Sequence, residues 1–429
     1  MLYVYLIPIV LIVALYWGLQ RRRHARNLAA LEQTRVAGLT EPASLHPLLD
    51  PARCIGCGSC VTACPEGNVL GLINKKAVLI NPSHCIGHGA CRIACPMEAI
   101  SLVFGSEKRG VDIPLVDADF QTNVPGIFIA GELGGMGLIR NAIEQGRQAL
   151  EAIKQLRGIG RGDALDVVIV GAGPAGLSAS LGALQHKLRF VTVEQESLGG
   201  TVAHFPRGKL VMTAPATLPI IGKVKFTETT KEALLKFWEE VVQRTGLNIQ
   251  YQERVDEITH HDGMLTVKTN RNSYHTRAVL LAIGRRGTPR KLDVPGEDLA
   301  KVVYRLIDPE QYRGQRVLVV GGGDSALEAA ASIAEQPDTQ VILSYRADAF
   351  SRAKEKNRAR IAAAEHAGQL RVLFKSNVKE IQPQHVILDQ EGQILELDND
   401  AVIVSAGGVL PTPFLQKIGI QVDTKHGTA

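Results

Sequence analysis

The chain has 429 residues, of which 45% are hydrophobic and 42 are glycine. This length suggests two to four domains with packed cores, and the glycine content suits folds that contain tight turns. The net charge is only +5, and Arg21, Arg22, Arg23 and Arg26 carry much of it. The composition therefore gives no indication of a nucleic-acid-binding surface.

The chain opens on an uncharged apolar run at residues 2–19, which basic residues follow. As a helix that rises about 1.5 Å per residue, this run spans about 27 Å, close to the thickness of a bilayer core. Signal peptides carry positive charge before the apolar run, not after it. The pattern predicts a single-pass protein of the inner (cytoplasmic) membrane, with everything after the arginines in the cytoplasm. A helix that docks on the protein or on another subunit is the alternative, and residues 20–44 are predicted to form a basic tether.

All seven cysteines lie between Cys54 and Cys95, in two tandem copies of one motif. The first copy reads C-x2-C-x2-C-x3-C-P, and the second has His88 in place of its second cysteine. Thiolates at this spacing bind iron–sulfur clusters, and the cysteine before proline ligates the cluster of the other copy. The motif predicts a two-cluster ferredoxin domain at residues 45–105, and hence one-electron transfer. Zinc or disulfides are the alternative for such spacings.

The motif divides the cysteines into two ligand sets. Cys54, Cys57, Cys60 and Cys95 are assigned to the first cluster, and Cys64, Cys85 and Cys91 to the second. His88 either ligates iron, since imidazole replaces thiolate in some clusters, or leaves a three-iron cluster. The prediction is two iron–sulfur clusters. The first is [4Fe–4S], and the second is either a His-ligated [4Fe–4S] cluster or a [3Fe–4S] cluster. Cysteines confined to such motifs favour a reducing compartment.

A strand-like run at residues 166–170 leads into the sequence G-A-G-P-A-G and then into a helical pattern. In this fingerprint the first glycine turns the chain, the second admits a pyrophosphate, and the third packs the helix on the strand. The helix N-terminus supplies N–H donors to the phosphates. Glu194 ends the next strand, where an acidic residue binds a ribose hydroxyl. The candidate residues of this first site are Gly171, Gly173, Pro174, Ala175, Gly176 and Glu194.

The pattern recurs after a second strand-like run at Arg316–Val320. The strand that follows ends without an acidic residue, and Arg346 and Arg352 lie beyond it. Arginines there suit a 2′-phosphate, so NADP(H) is predicted in preference to NAD(H), with a solvated basic loop as the alternative. Two nucleotide folds beside two clusters indicate a flavin together with a nicotinamide, because a flavin accepts a hydride and releases single electrons. The remaining candidates of this second site are Gly321, Gly323, Asp324, Ser325 and Ala326.

From Val111 onwards the chain resembles the thioredoxin-reductase-like flavoprotein reductases, which have two dinucleotide-binding domains. The resemblance rests on the first fingerprint, on Gly199-Gly200-Thr201, and on apparent interdomain connections at residues 281–296 and 402–411. Residues 199–205 further resemble the bacillithiol disulfide reductase and ferredoxin–NADP reductase branches. The resemblance implies that Gly200 and Thr201 lie near the flavin ring. It also implies an FAD-binding domain at residues 164–290, an NAD(P)-binding domain at 291–404, and a return to the FAD domain at 405–429.

The last FAD motif of this family, T-x-V-P-G-I-F-x-A-G-D followed by a helix, stands upstream in this chain, at residues 122–132. The FAD domain thus resembles a circular permutant whose displaced element covers residues 111–157. The resemblance places Gly131, Glu132 (in place of the family's Asp) and Ile139 at the flavin. Permutation requires the joined ends to be close, which predicts that Ala429 lies near residues 111–114. A domain-swapped partner that supplies the motif is the alternative.

The fold class expected is α/β: two Rossmann-like three-layer dinucleotide-binding domains, preceded by a small α+β two-cluster ferredoxin domain and one transmembrane helix. The function expected is that of a membrane-anchored NAD(P)H-dependent FAD/iron–sulfur oxidoreductase. Electrons would pass from NADPH to FAD, to the clusters and to a ferredoxin, cytochrome or quinone, or in reverse. Hydride transfer requires no acid or base from the protein, so no catalytic side chain is assigned. The resemblance implies a homodimer.

Two other functions are open. The first is a disulfide or small-molecule reductase with an accessory ferredoxin domain. The flavoprotein portion contains no cysteine, and this counts against it because thiol–disulfide exchange needs a thiolate. The second is an electron-relay subunit without enzymatic activity, against which both glycine fingerprints argue.

Overall fold

A computed structural model describes most of the chain. The described residues are 2–36, 40, 42, 45–85, 87–106, 110–135, 137–205, 207–208, 210–212, 215–224, 228–261, 263–350 and 353–427, without the side chains of 2–6, 8, 9, 210, 212 and 228. Two predictions fall outside this description: the position of Arg352 and that of Ala429 itself.

The first unit holds the cysteine motifs in two similar halves. Its outer strands pair antiparallel, with His46 opposite Val103 and Leu49 opposite Ile100, and its inner strands form a hairpin. The buried residues between them include Cys60, Cys85 and Cys91. The elements are α1 (Leu2–Val36), β1 (His46–Leu49), α2 (Ser59–Ala63), β2 (Leu70–Ile73), β3 (Lys76–Leu79), α3 (Ala90–Ile93) and β4 (Ile100–Val103).

The N-terminal helix corrects the membrane prediction. No helix in the described part of the chain is long and apolar enough to cross a membrane. The predicted transmembrane helix, and with it the localisation at the inner membrane, is therefore wrong. The apolar run is of marginal length, and its helix continues without a break through the arginines that were predicted to begin a tether. The second half of α1 binds the first unit, since Asn27 donates to Leu72 O over 3.1 Å and Thr34 donates to Asn81 over 2.7 Å.

The first nucleotide domain is built on a mixed sheet whose parallel central strands are apolar on both faces, as strands covered by helices require. The order across the sheet is β13-β8-β7-β16-β15-β14, and β6 also pairs with β16. The elements are β5 (Val111–Pro114), β6 (Ile127–Ile129), α4 (Ile139–Lys154), β7 (Leu165–Val170), α5 (Pro174–Gln185), β8 (Phe190–Glu194), β9 (Leu210–Met212), β10 (Ala216–Leu218), β11 (Gly222–Val224), β12 (Glu228–Thr230), α6 (Lys231–Thr245), β13 (Ile249–Tyr251), β14 (Val255–His261), β15 (Met264–Thr269) and β16 (Ser273–Leu281).

The second nucleotide domain contains a five-stranded parallel sheet in the order β18-β25-β19-β20-β21, with an antiparallel sheet of β22, β23 and β24. The two connections between the domains pair with each other, with Thr288 opposite Val409. The remaining elements are β17 (Thr288–Pro289), β18 (Val302–Val303), β19 (Arg316–Val320), α7 (Asp324–Ala334), β20 (Gln340–Tyr345), α8 (Glu355–His366), β21 (Leu370–Phe374), β22 (Ser376–Ile381), β23 (His385–Gln390), β24 (Gln393–Asp398), β25 (Ala401–Val404), β26 (Gly408–Val409), α9 (Thr412–Lys417) and β27 (Val422–Lys425).

The upstream element is part of the first nucleotide domain. Strand β6 runs parallel to β16, with Ile127 opposite Val279. Helix α4 packs so closely on α5 that a Cβ at Gly146 would collide with the carbonyl oxygen of Ala175. The C-terminal strand β27 pairs antiparallel with β5, so Val422–Lys425 lie beside Val111–Pro114, whereas Ala429, for which this closeness is predicted, lies outside the described residues. The described chain supplies this element itself, without a swapped partner.

Candidate functional site

A cavity of about 660 Å³ opens at the carboxyl ends of β7 and β8, between the first nucleotide domain and the upstream element. Its size lies in the range of cofactor sites, and such sites in parallel sheets lie beyond the carboxyl ends of the strands. Among the predicted residues, those that line it are Gly131, Glu132, Ile139, Gly171, Gly173, Pro174, Ala175, Glu194, Gly200 and Thr201.

The turn after β7 has the close contacts that the fingerprint predicts. Gly171 has a φ of +105°, and a Cβ there would lie 2.5 Å from the carbonyl oxygen of Ala282. Gly176 does not line the cavity; instead, a Cβ on it would collide with the carbonyl oxygen of Gly171. The glycines therefore let strand, turn and helix approach each other, and they leave open a cradle that fits a dinucleotide.

Glu194 is buried at the end of β8, where its carboxylate organises the adjacent backbone. One oxygen accepts a hydrogen bond from the N–H of Ala172 over 2.7 Å, and the other from the N–H of Glu196 over 2.9 Å. Burial raises the pKa of Glu194, and the bonds from the backbone oppose that rise. The donor set fits the predicted role, a carboxylate held beside a ribose.

The upstream element contributes a second buried carboxylate, that of Glu132. Burial raises the pKa of this group, and the nearby Arg285 lowers it. Helix α4 begins a few residues later, at Ile139, and its N-cap residue, Leu138, makes no side-chain hydrogen bond to the first turn. Its N–H groups and partial positive charge lie at the cavity wall, where they favour a negative charge.

Sequence reasoning missed a charged cluster at the mouth of this cavity. His204 Nε2 lies 2.6 Å from a carboxylate oxygen of Glu196, and Arg305 from the second nucleotide domain contacts both residues. Burial, followed by the charge of Arg305, lowers the pKa of His204 to about 4. Glu196 and His204 flank Gly200 in the sequence, and this proximity could have pointed to two members of the cluster. Arg305 could not have been found in this way, because it lies more than a hundred positions further along the chain.

The second fingerprint forms a similar turn at the carboxyl end of β19. A Cβ at Gly321 would collide with the carbonyl oxygen of Ser405, and Gly323 precedes the first turn of α7. Asp324 is not open to a ligand on all sides, because its carboxylate accepts bonds from the N–H of Lys354 (2.8 Å) and from Asn357 (2.7 Å). Ser325 is exposed and Ala326 is buried.

Beyond β20, the structure places one of the two predicted arginines. Arg346 is exposed directly after the strand, and Arg352 lies outside the described residues. The neighbouring Tyr345 stacks on Phe350 with ring centroids 5.6 Å apart. The position of Arg346 is therefore compatible with the predicted 2′-phosphate contact.

The cysteines group as the tandem motif predicts. Cys54, Cys57, Cys60 and Cys95 line one small cavity, which we call site one. Burial raises the pKa of Cys85 and Cys91, and the nearby Cys64 raises both further, so these three cysteines lie together; we call this group site two. Backbone N–H groups point at the sulfurs of site one, from Ala77 to Cys54 and from Ala99 to Cys95, each over 3.4 Å.

The donor set of both sites fits iron–sulfur clusters. Site one offers four thiolates with N–H donors to sulfur, the ligand set of a [4Fe–4S] cluster, and site two offers three thiolates near His88. In the described residues no group of three or more His, Cys, Asp or Glu side chains is arranged around a single metal ion. His88 lies at site two, with its Nε2 3.5 Å from a carboxylate oxygen of Glu66.

The ferredoxin-like unit contacts both nucleotide domains. Phe104, just after β4, packs on the loop that follows Glu132, where a Cβ at Gly135 would lie 2.5 Å from its ring. The N–H of Gly427 donates to the carbonyl oxygen of Phe104 over 2.8 Å. On the other side, His84 Nε2 lies 3.3 Å from a carboxylate oxygen of Glu355 at the start of α8. The unit that contains the cysteine sites therefore packs directly against both nucleotide domains.

Two Rossmann-like domains joined by paired connections, with a dinucleotide cradle in each, define a flavoprotein oxidoreductase with a ferredoxin-like unit. The family model described as pyridine nucleotide-disulphide oxidoreductase matches residues 168–428, and the chain belongs to this family. A 4Fe-4S dicluster domain matches residues 46–96. The protein is an FAD-dependent NAD(P)H oxidoreductase. The main match begins at residue 168 and so leaves out the upstream element.

Relatives support the same assignment. A ferredoxin–NADP reductase of Ignicoccus hospitalis is 28% identical over 61% of this chain and 83% of its own length. The bacilliredoxin reductase Bdr of Bacillus subtilis is 27% identical over 61% of this chain and 82% of its own length. Among solved structures, the bacillithiol disulfide reductase Bdr of Bacillus cereus is similar in fold, with a TM-score of 0.53 and 24% identity over 61% of this chain and 83% of its own.

Proposed function

We propose that the protein transfers electrons between NADPH and a ferredoxin-type carrier by way of FAD and two iron–sulfur clusters. NADPH gives up a hydride and becomes NADP⁺, two carrier molecules each gain one electron, and one proton is released. Bound FAD supplies the change from a two-electron donor to one-electron acceptors. The direction of net transfer follows the relative potentials of the carrier and NADPH.

The observation that carries this proposal is the contact between Phe104 and the loop after Glu132. Phe104 continues the strand that borders the cysteine sites, and Glu132 lines the cavity for FAD. The ferredoxin-like unit is therefore attached at the wall of the flavin cavity. This position favours a direct part of the ferredoxin-like unit in electron transfer over an accessory role.

The protein's own residues hold the cofactors. The turn at Gly171 and the first turn of α5 bind the FAD pyrophosphate, Glu194 the adenosine ribose and Glu132 the ribityl chain. The first turn of α4 stabilises negative charge on the reduced flavin. The turn at Gly321 binds the pyrophosphate of NADPH, and sites one and two hold one cluster each.

A ferredoxin is the proposed carrier because several relatives are named ferredoxin–NADP reductases. The other named activity, bacilliredoxin reductase, belongs to a relative as well. The flavoprotein portion of this chain contains no cysteine for disulfide exchange, so that activity is not proposed. A cytochrome, a quinone and a homodimer stay predictions.

An anaerobic titration of the purified protein with NADPH tests the proposal. Flavin absorbance is expected to bleach, cluster signals to appear in the EPR spectrum, and an added ferredoxin to be reduced with two molecules per NADPH. Bleached flavin with clusters that stay oxidised would show that the two halves are not connected. A preparation that contains no FAD would instead favour the relay function.

A further inference from the structure

Strand β4 passes the two cysteine sites in a fixed order. Ile100, at its start, lines site one. Leu102 lies at site two, since a Cβ at Gly89, the residue before α3 and Cys91, would be 3.1 Å from its Cδ1. Phe104 then contacts Gly135 at the flavin domain. Alternate residues of a strand share one face and are about 6.6 Å apart, so site two lies between site one and the flavin domain.

The exposure of the ligands follows the same order. At site one Cys57 is exposed, and the apolar rim residues Ile55 and Met97 are 62% and 44% exposed. At site two Cys85 and Cys91 are only 9% and 8% exposed. Of the seven cysteines, the exposed one is thus Cys57 of site one, and exposed apolar side chains lie beside it where a second protein can approach.

The two halves of the motif differ at the rim in a corresponding way. Met97 follows Cys95-Pro96, and Glu66 follows Cys64-Pro65 at the equivalent place. Both residues are exposed, but Met97 is apolar, whereas Glu66 is a carboxylate that lies 3.5 Å from His88 Nε2. An exposed flexible apolar side chain suits a transient protein contact.

Basic residues outnumber acidic ones around the rim of site one, where Glu98, the residue after Met97, is also exposed. The Lys75–Lys76 turn lies against the site-one loop: a Cβ at Gly56 would collide with Lys75 O, and Lys76 donates to Cys54 O over 2.6 Å. Arg53 is exposed on the same loop, 3.6 Å from Asp50, which neutralises part of its charge. A net positive rim attracts a partner with acidic residues around its own cluster.

We propose that site two exchanges electrons with the flavin, and that site one is the docking site of an acidic electron-carrier protein. This inference rests on the proposed function and adds an order to it: flavin, site two, site one, carrier. One electron at a time moves along this order, so two carrier molecules must dock in turn for each NADPH oxidised.

Surface variants test the docking site. Met97→Glu and Lys75→Glu are expected to lower kcat/KM for an acidic [4Fe–4S] ferredoxin about tenfold at low salt, with much of the difference lost at high salt. Reduction of the enzyme's own clusters by NADPH, followed by EPR, is expected to be unchanged in Lys75→Glu, whose side chain does not line site one. With cytochrome c, a basic carrier, Lys75→Glu is expected not to slow the reaction. Ile394→Glu, on the exposed strand β24, is the matched control.

Ligand variants test the order. In Cys57→Ser, NADPH is expected to reduce site two at the wild-type rate while ferredoxin reduction falls sharply. In Cys91→Ser, the site-one signal is expected to appear much more slowly under NADPH. Phe104→Ala, which leaves all ligands in place, is expected to slow reduction of both clusters.

The outcomes separate this inference from the proposed function. If the wild-type clusters are never reduced by NADPH, the proposed function fails. If they are reduced, but NADPH reduces the site-one cluster of Cys91→Ser at the wild-type rate, the proposed order of electron transfer is overturned. If Met97→Glu and Lys75→Glu reduce the acidic ferredoxin as fast as the wild type does, docking at site one is overturned.

Discussion

Arg305, from the second nucleotide domain, donates to the Nδ1 atom of His204, which belongs to the first domain. The opposite ring atom, Nε2, lies 2.6 Å from Glu196. A ring that accepts at Nδ1 and donates at Nε2 is neutral, and this agrees with the pKa of about 4. The contact therefore joins the two domains through a histidine that stays uncharged at neutral pH.

This histidine makes stability depend on pH. Its pKa in the folded protein, about 4, is below the ordinary value of 6.5, so protonation favours the unfolded chain. The contribution of neutral His204 to the free energy of unfolding is fully present above pH 6.5 and is lost as the pH falls towards 4. This contribution is roughly 3 kcal/mol at most. We expect the thermal midpoint to fall less between pH 7 and pH 5 in His204→Gln than in the wild type. The exposed His366→Gln is the control, and equal pH dependence in all three proteins would contradict the prediction.

A second prediction concerns the junction of the upstream element with the C-terminal strand. Asp112 in β5 accepts hydrogen bonds from Thr412 (3.0 Å) and Thr424 (2.8 Å). Asp112→Ala removes both hydrogen bonds and is expected to lower the free energy of unfolding by about 1–3 kcal/mol. We expect a lower thermal midpoint and loss of FAD on dialysis, because Glu132 and α4 are placed by this element. The control is Asp119→Ala, at an exposed position of the same segment. Wild-type FAD retention in Asp112→Ala would show that the junction does not support the flavin cavity.

The sequence predicted those features that a local motif determines. The turn at Gly171, the grouping of the cysteines and the return of the chain to residues 111–114 all follow from spacing or from family motifs. The contact of His204 with Arg305 could not be predicted, because it depends on how the two domains are oriented. The membrane prediction was wrong because it considered the apolar run at residues 2–19 alone, whereas that run is one half of a longer helix whose other half is polar and basic.

The preference for NADPH is expected to depend on Arg346. The exposed guanidinium after β20 is placed to pair with the 2′-phosphate, a charge-assisted contact that NADH lacks. Arg346→Gln is expected to raise KM for NADPH about tenfold or more and to leave KM for NADH nearly unchanged. Steady-state kinetics with both nucleotides measures the ratio. The control is Arg371→Gln on the neighbouring strand β21, and an equal effect on both nucleotides would exclude a role in 2′-phosphate binding.

His88 is expected to ligate iron at site two through Nδ1. Its Nε2 lies beside the Glu66 carboxylate, and histidine ligands commonly donate their second N–H to such a group. His88→Cys completes a four-cysteine set and is expected to lower the reduction potential of that cluster, because imidazole ligands raise it. His88→Ala is expected to lose one iron and to give a three-iron EPR signal when oxidised, whereas the exposed His260→Ala leaves the spectrum unchanged. A three-iron signal already present in the oxidised wild type, and unaltered in His88→Ala, would show that the imidazole is not a ligand.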